Sequence, residues 1–158
     1  MHLSENGIKL LAQFEGCILF AYDDFDSPKS RRHIKPGDKV HGTLTIGFGH
    51  TGADVKPGMT ITADEAEDLL RKDLGPFESA VDLAVTTVLN QHQFDALVIF
   101  AFNVGMGNFR GSTLLRKLNS GQYTAVPSEL MKWTKSKGKQ MQGLVNRRKA
   151  EATLWSGG

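Results

Sequence analysis

Gln91-His92-Gln93-Phe94-Asp95-Ala96-Leu97-Val98-Ile99-Phe100-Ala101-Phe102-Asn103-Val104 is the stretch from which the fold is most directly read. Its apolar residues leave no consistently polar side, which is the pattern of a helix buried all round. The unbroken apolar run, Ala96 to Phe102, is seven residues, far short of the roughly 20 needed to cross a bilayer. The segment therefore reads as the core helix of a globular domain.

On its C-terminal side, helices are expected from Ser112 to Leu118, around Ala125 to Trp133 and from about Leu144 to Leu154, separated by Gly121, Gly138 and Gly143. On its N-terminal side, Thr62-Ala63-Asp64-Glu65 is a capping box, in which Thr62 and Glu65 each satisfy an orphan backbone donor. Ala66, Leu69 and Leu70 follow on one face, and Gly75-Pro76 is expected to end that helix and start another. A first helix begins after Ser4 as N-cap, carries Ile8, Leu11 and Phe14, and stops where Gly16 can adopt a left-handed cap. From Cys17 to His50 the helical period vanishes, and turn formers such as Asp26-Ser27-Pro28 and Pro36-Gly37-Asp38 punctuate β-prone pieces at Phe20 to Tyr22 and Leu44 to Phe48. The class is α+β.

At 158 residues and 40% apolar, the chain is expected to form one compact domain, 1–158. Met1 to Phe14 is interrupted by Glu5, Asn6 and Lys9, so neither a signal peptide nor an anchor is expected there. The lone Cys17 cannot form an intramolecular disulfide, which fits a reducing compartment; it reads as a small buried hydrophobe. Charge is unevenly spread. Arg110 to Ala150 holds ten Lys or Arg against the single acid Glu129, whereas Ile61 to Asp95 holds eight acids against two bases. A cationic surface of this kind suits an anionic polymer such as cell-wall glycan, a membrane surface or nucleic acid.

Hydrolysing a glycosidic bond requires one protonated acid and a second carboxylate that acts on water or on the developing positive charge. Glu15 and Asp24 are placed for that pairing. Glu15 ends a helix, where the macrodipole opposes ionisation, and burial of Phe14, Gly16 and Cys17 around it would act the same way. Asp24 lies in a turn-rich stretch where solvent and backbone donors keep a carboxylate ionised. Asp23 and Asp26 compete for its role.

Glu15-Gly16, Tyr22-Asp23-Asp24, Thr45-Ile46-Gly47-Phe48-Gly49-His50-Thr51 and Thr62-Ala63-Asp64-Glu65-Ala66 together resemble the N-terminal signature of phage T4-type lysozymes, glycoside hydrolase family 24. Phe100 to Gly105, Ser112 to Leu115 and Gly143 to Glu151 are similar to that family's central and C-terminal segments, so the resemblance runs nearly the whole chain in order. It implies a lysozyme-like fold, with a small β-containing N-terminal lobe, a mainly helical C-terminal lobe and a cleft between them. It implies an endolysin that hydrolyses the bond between N-acetylmuramic acid and N-acetylglucosamine in peptidoglycan during host-cell lysis. The family's triad is a Glu, an Asp or Cys after eight intervening residues, and the Thr of Thr-Ile-Gly. Here eight residues, Gly16 to Asp23, separate Glu15 from Asp24, and Thr45 is the matching threonine. By the resemblance Glu15 protonates the leaving oxygen, Asp24 and Thr45 act on the water, and the anomeric carbon inverts. No cofactor or metal is implied, and a monomer that awaits release from the host cytoplasm, as by a holin, is expected.

Twenty residues, Phe25 to Leu44, separate Asp24 from Thr45, longer than the family's usual gap. A lengthened hairpin or flap, cationic through Lys29, Arg31 and Arg32, is expected to return in register.

Among the remaining candidates, Arg147 and Arg148 begin the last helix, and Arg147 is chosen of the two as the match to the arginine that pairs with the catalytic glutamate in look-alikes; Asn103 resembles the family's substrate-facing amide. His50 is expected as a structural or cleft-wall residue in contact with substrate, and Lys132 as part of the cationic patches of basic helices, Lys132 to Lys139 and Arg147 to Lys149, engaging wall or outer-membrane anions. Phe109 reads as core. Gly47 and Gly49 around Phe48 read as tight turns of a strand, since no phosphate-loop Lys-Ser/Thr follows. Two other classes compete. A zinc amidase would use His33, His41 and His50, whose spacing matches no His-Glu-x-x-His element. A non-catalytic binding module would grip wall or nucleic acid with the basic half alone, and would have no use for Glu15, Asp24 and Thr45 together.

Overall fold

The computed structural model describes residues 1–157. The chain forms two compact units, Leu11–Asp73 and, together, Met1–Leu10 with the chain from Leu74 onward. The polypeptide enters the first of these inside helix α1 (Glu5–Glu15) and leaves it inside helix α2 (Ala63–Ala84). The extreme N-terminus therefore belongs with the helical unit, which corrects a simple N-terminal-lobe reading. Its first residues are tied there by polar contacts: Leu3 N–H donates to Glu78 Oε2 at 2.6 Å and Ser4 N–H to Asp95 Oδ1 at 3.0 Å. Ser4 also caps α1 as expected, its Oγ accepting from Gly7 N–H at 3.2 Å.

In the Leu11–Asp73 unit, β1 (Ile18–Asp23), β2 (Leu44–Gly47) and β3 (His50–Thr51) form an antiparallel sheet in sequential order. Tyr22 pairs with Thr45 and Asp23 with Leu44, after an irregularity between Ile18 and Tyr22. Gly47 (φ +68°) and Gly49 (φ +82°) turn β2 into β3, a backbone that L side chains adopt only with strain. Ala21, Ile46, Val55, Ile61 and Ala66 form the core of the unit, and the capping box at the start of α2 is formed both ways, at 3.1 Å each.

The insertion after Asp24 is an irregular excursion built from turns, with no lengthened strands. It does return in register, closed by Asp24 N–H to the Thr43 carbonyl at 3.1 Å. Its middle is anchored: Ile34 is only 1% exposed, its N–H donates to the Ala21 carbonyl at 2.8 Å and its carbonyl accepts from Gly58 N–H at 2.6 Å.

The helical unit is arranged around α3 (Gln91–Val104), whose residues Phe94 to Ala101 are all buried. Asn90 and Gln93 close a capping box at its start. Asp95, the one charge inside this buried run, is satisfied by Ser4 and by Gln91 Nε2 at 2.8 Å. Helices α4 (Met106–Arg110), α5 (Thr113–Asn119), α6 (Val126–Leu130) and α7 (Gln142–Trp155) complete the unit. Phe109 is core, as expected.

Three sequence expectations fail here. Helix α2 runs straight through Gly75-Pro76, because the buried stripe Ala66, Leu70, Leu74, Ala80 and Val81 outweighs the single backbone hydrogen bond that Pro76 cannot donate. Gly143 lies inside the first turn of α7 and separates nothing. The basic stretch Lys132 to Lys139 is not helical: Lys135–Ser136 (β4) and Lys139–Gln140 (β5) form a hairpin turning on Lys137 (φ +51°) and Gly138 (φ +79°), the two positive φ values of a type I′ turn.

Candidate active site

Glu15, Asp24 and Thr45 all fall in the Leu11–Asp73 unit. Glu15 is the last residue of α1 and half-buried; Gly16 (φ +66°) then breaks the helix so that β1 can start at Ile18. Cys17, expected to be buried, is exposed, as is Gly16. Both sit in the two-residue joint between helix and strand, so the apolar cover expected around Glu15 from these neighbours is absent.

The strand period separates the adjacent aspartates. Asp23 is 1% exposed and accepts three backbone N–H groups, from Phe25 (3.0 Å), His41 (2.7 Å) and Gly42 (2.9 Å). Burial opposes its ionisation, but these donors overcome that and hold its carboxyl below the usual range. Asp24 is exposed, and its Oδ1 accepts from Thr43 N–H at 2.6 Å. Asp23 thus fastens the ends of the insertion, while Asp24 keeps a carboxylate oxygen available for water.

Thr43 ties the second and third members together. Its N–H holds Asp24, and its carbonyl accepts both Asp24 N–H at 3.1 Å and Thr45 Oγ1–H at 2.9 Å. Gly42 is required beside them, since a Cβ there would lie 2.2 Å from Asp24 Oδ1.

Tyr22, to which sequence reasoning gave no role, is directly opposite Thr45 and so shares its face of the sheet. Burial raises its phenol, Arg31 pulls the other way, and the charges of Asp24 and Glu15 raise it further. The Arg31 guanidinium lies 4.7 Å from the Tyr22 ring centroid, a cation–π contact that brings the insertion over this face. The signal for Tyr22 in the sequence was its place two residues before Asp24.

His50 is buried, with Nδ1 2.8 Å from Asp73 Oδ2 and Nε2 2.9 Å from Asp54 Oδ2. Burial disfavours its charged form, but the two carboxylates outweigh that and raise its pKa above the ordinary 6.5. Both ring nitrogens are engaged, leaving none for a sugar. His33 packs at a tilt against Phe20 and His41 against Phe25; among the described residues no group of three His, Cys, Asp or Glu is arranged to hold a metal.

The other candidates lie in the helical unit. Arg147 is half-buried on α7. Lys132 is exposed and its Nζ donates to Glu129 Oε2 at 2.6 Å, beside Lys117 at 3.2 Å. The Lys132 bond, helped by Lys117 and opposed by burial, keeps the Glu129 carboxyl low. Asn103, at the end of α3, accepts from Arg148 Nη2 at 2.8 Å. Sequence reasoning preferred Arg147 and passed over Arg148, which is fully buried with Glu151; the signal was their spacing of three on a helix. Burial lifts the Glu151 carboxyl to about 7, while Arg148 and Arg147 pull it down.

Residues 12–151 match the model of the phage lysozyme family. The chain belongs to that family. It is 44% identical over 158 residues to the endolysin of Bacillus phage PZA, covering all of this chain and 56% of that protein. With the endolysin of Salmonella phage P22 it shares 41% identity over 159 residues, at 98% of both. A solved P22 lysozyme superposes with TM-score 0.82 at 39% identity, covering 99% of each chain. The muramidase domain of SpmX from Asticaccaulis excentricus gives 0.80 at 35%, covering 98% of each. The chain spans about half the length of the Bacillus phage relatives. These likenesses bear out the lysozyme-like α+β fold.

Proposed function

We propose that this chain, 1–158, forms a single catalytic domain of an endolysin that cleaves peptidoglycan as an N-acetylmuramidase, of the T4-type glycoside hydrolase family 24. The observation that supports this best is the convergence of Asp24 and Thr45 on the Thr43 peptide, in the unit where Glu15 ends α1. Glu15 donates its proton to the glycosidic oxygen between N-acetylmuramic acid and N-acetylglucosamine. Asp24, ionised and open on one oxygen, takes a proton from water that the Thr45 hydroxyl helps to orient, and the water attacks the anomeric carbon with inversion. Arg147, Asn103 and Lys132 contact the substrate. The enzyme acts as a monomer, without metal, cofactor or nucleic acid. It accumulates in the host cytoplasm until the membrane is opened, and the basic C-terminal half contacts wall or outer-membrane anions.

The test is turbidity loss of purified peptidoglycan with wild type, Glu15→Gln and an EDTA control, followed by mass analysis of the fragments. Reducing muramic acid ends are expected, insensitive to EDTA and reduced roughly 10²- to 10⁴-fold by Glu15→Gln, the span that one general acid contributes. Free wall peptides abolished by EDTA, or no release by folded protein, would overturn the reading.

A further inference from the structure

Arg148 and Glu151 are both 0% exposed. Arg148 Nε lies 2.7 Å from Glu151 Oε1, and its Nη2 donates to Glu151 Oε2 at 2.8 Å. The guanidinium carbon sits 5.0 Å from the Phe100 ring centroid, and Nη1 reaches the Trp133 carbonyl at 3.4 Å. A buried ion pair is on balance no more stabilising than apolar residues of the same volume, so its stability contribution does not account for it. What the guanidinium reaches besides is Asn103 Oδ1, at 2.8 Å.

That contact decides which way the Asn103 amide faces. A guanidinium only donates, so it accepts the oxygen end of the amide and rejects the NH₂ end. The NH₂ group is thereby turned away from Arg148. Asn103, Arg148, Trp133, Lys135 and Ser136 line one open hollow of about 290 Å³. Its polar groups contributed by Asn103 and Lys135 are then donors, and Trp133 supplies an apolar surface beside them.

We propose that Arg148, held in place by Glu151, is a positioning residue that fixes Asn103 as a donor into this hollow, where its NH₂ group binds the carbonyl oxygen of a substrate N-acetyl group while Trp133 receives the methyl. The proposal rests on the glycan-cleaving reading above. Lysine at 148 cannot hold Glu151 and Asn103 at once with the same planar geometry, and aspartate at 103 keeps an acceptor for Arg148 but presents an oxygen where the NH₂ stood.

The experiment compares wild type, Arg148→Lys, Asn103→Ala, Asn103→Asp and the Arg148→Lys/Asn103→Ala pair on solubilised glycan strands, with each fold checked by circular dichroism. Arg148→Lys and Asn103→Asp should each raise KM about tenfold, the loss of roughly one hydrogen bond at 1.4 kcal/mol per decade, with kcat little changed. Arg148→Lys should add nothing further to KM in the Asn103→Ala background. Independent, multiplicative effects, or a wild-type KM in folded Asn103→Asp, would overturn the proposal even if Arg148→Lys failed to fold. A readout without turnover separates this from failure of the muramidase reading. The Asn103 side-chain amide resonances should shift on titration with the N-acetylglucosamine trimer and stay fixed with the glucosamine trimer; equal shifts with both would refute the N-acetyl assignment.

Discussion

Ile34→Ala tests whether the long excursion between Asp24 and Thr45 is a fixed part of the β unit. Ile34 is 1% exposed and is bonded through its backbone to Ala21 and Gly58. The substitution removes three buried carbons, about 2.4 kcal/mol at ~0.8 kcal/mol each, and a residual cavity brings the loss to about 3–4 kcal/mol. Against a total stability on the order of 5–15 kcal/mol, that is a large fraction. With a urea slope of about 2 kcal/mol per M, the unfolding midpoint should fall by roughly 1.5–2 M. Activity should respond far less. Asp24 and Thr45 are held through Thr43 and through the Tyr22–Thr45 register, none of which uses the Ile34 side chain. The kcat of the folded variant should therefore stay within about tenfold of wild type, under ~1.4 kcal/mol of barrier. Urea denaturation followed by fluorescence, with glycan hydrolysis measured on the same preparation, reads both. A stability loss below about 1 kcal/mol would refute the anchoring argument, and a collapse of kcat in folded protein would refute the independence of Asp24 and Thr45 from the loop.

Three further outcomes are expected. The His50 pKa is raised, so its contribution to stability is fully present below the unfolded value of 6.5 and is lost as pH climbs through the folded value. The Asp54 carboxyl, lowered chiefly by its bond to His50 against the opposing effect of burial, contributes above its ordinary 3.8 and is lost as pH falls through its folded value. Thermal melts should show the benefit between those limits, and Asp54→Asn should flatten the decline above pH 6.5; an unchanged profile would remove His50 as its cause. Asp24→Asn should abolish lysis with little change in melting temperature, whereas Asp23→Asn, which places an NH₂ against backbone donors, should lower both; the reverse pattern would exchange their roles. Pro76→Ala should restore a helical hydrogen bond in α2 and stabilise by about 2–2.5 kcal/mol, the helix gain of ~3 kcal/mol less the ~0.4–1 kcal/mol that proline saves in the unfolded chain, as read by urea denaturation.

What was legible in the chain followed from local rules. The all-round apolar run of α3, the capping box at Thr62 and Gly16 as a helix stop each require only neighbours within one turn. Pro76 misled because the local rule is strong, and it is overridden by a buried stripe, Ala66 to Val81, that reaches well beyond one turn on either side of it. Arg147 and Arg148 are about 100° apart on one helix, so which of them is buried depends on the position of α3, information that no single helix carries. The hairpin at Lys135 to Gln140 is two residues long on each side, too short for any period to show. Of the site, Asp24 was selected over Asp23 by family spacing alone; that Asp23 is buried on three backbone N–H groups while Asp24, just past the strand end, is exposed depends on the fold of the insertion, which no local pattern announces.

That contrast also explains how a family member can carry twenty residues between Asp24 and Thr45. Inserting a loop threatens the site only if it shifts the register, because a slip of one residue would send Thr45 to the other face of the sheet. Asp23 prevents that from inside: its carboxylate binds N–H groups on both sides of the excursion, Phe25 at its start and His41 and Gly42 near its end. Asp24 and Thr43 then close the ladder one step further on. Beyond that clasp each doubling of loop length costs only about 0.6 kcal/mol, which the burial of one isoleucine more than offsets. The excursion is thereby free to place Arg31 over Tyr22, beside the residues it separates in sequence.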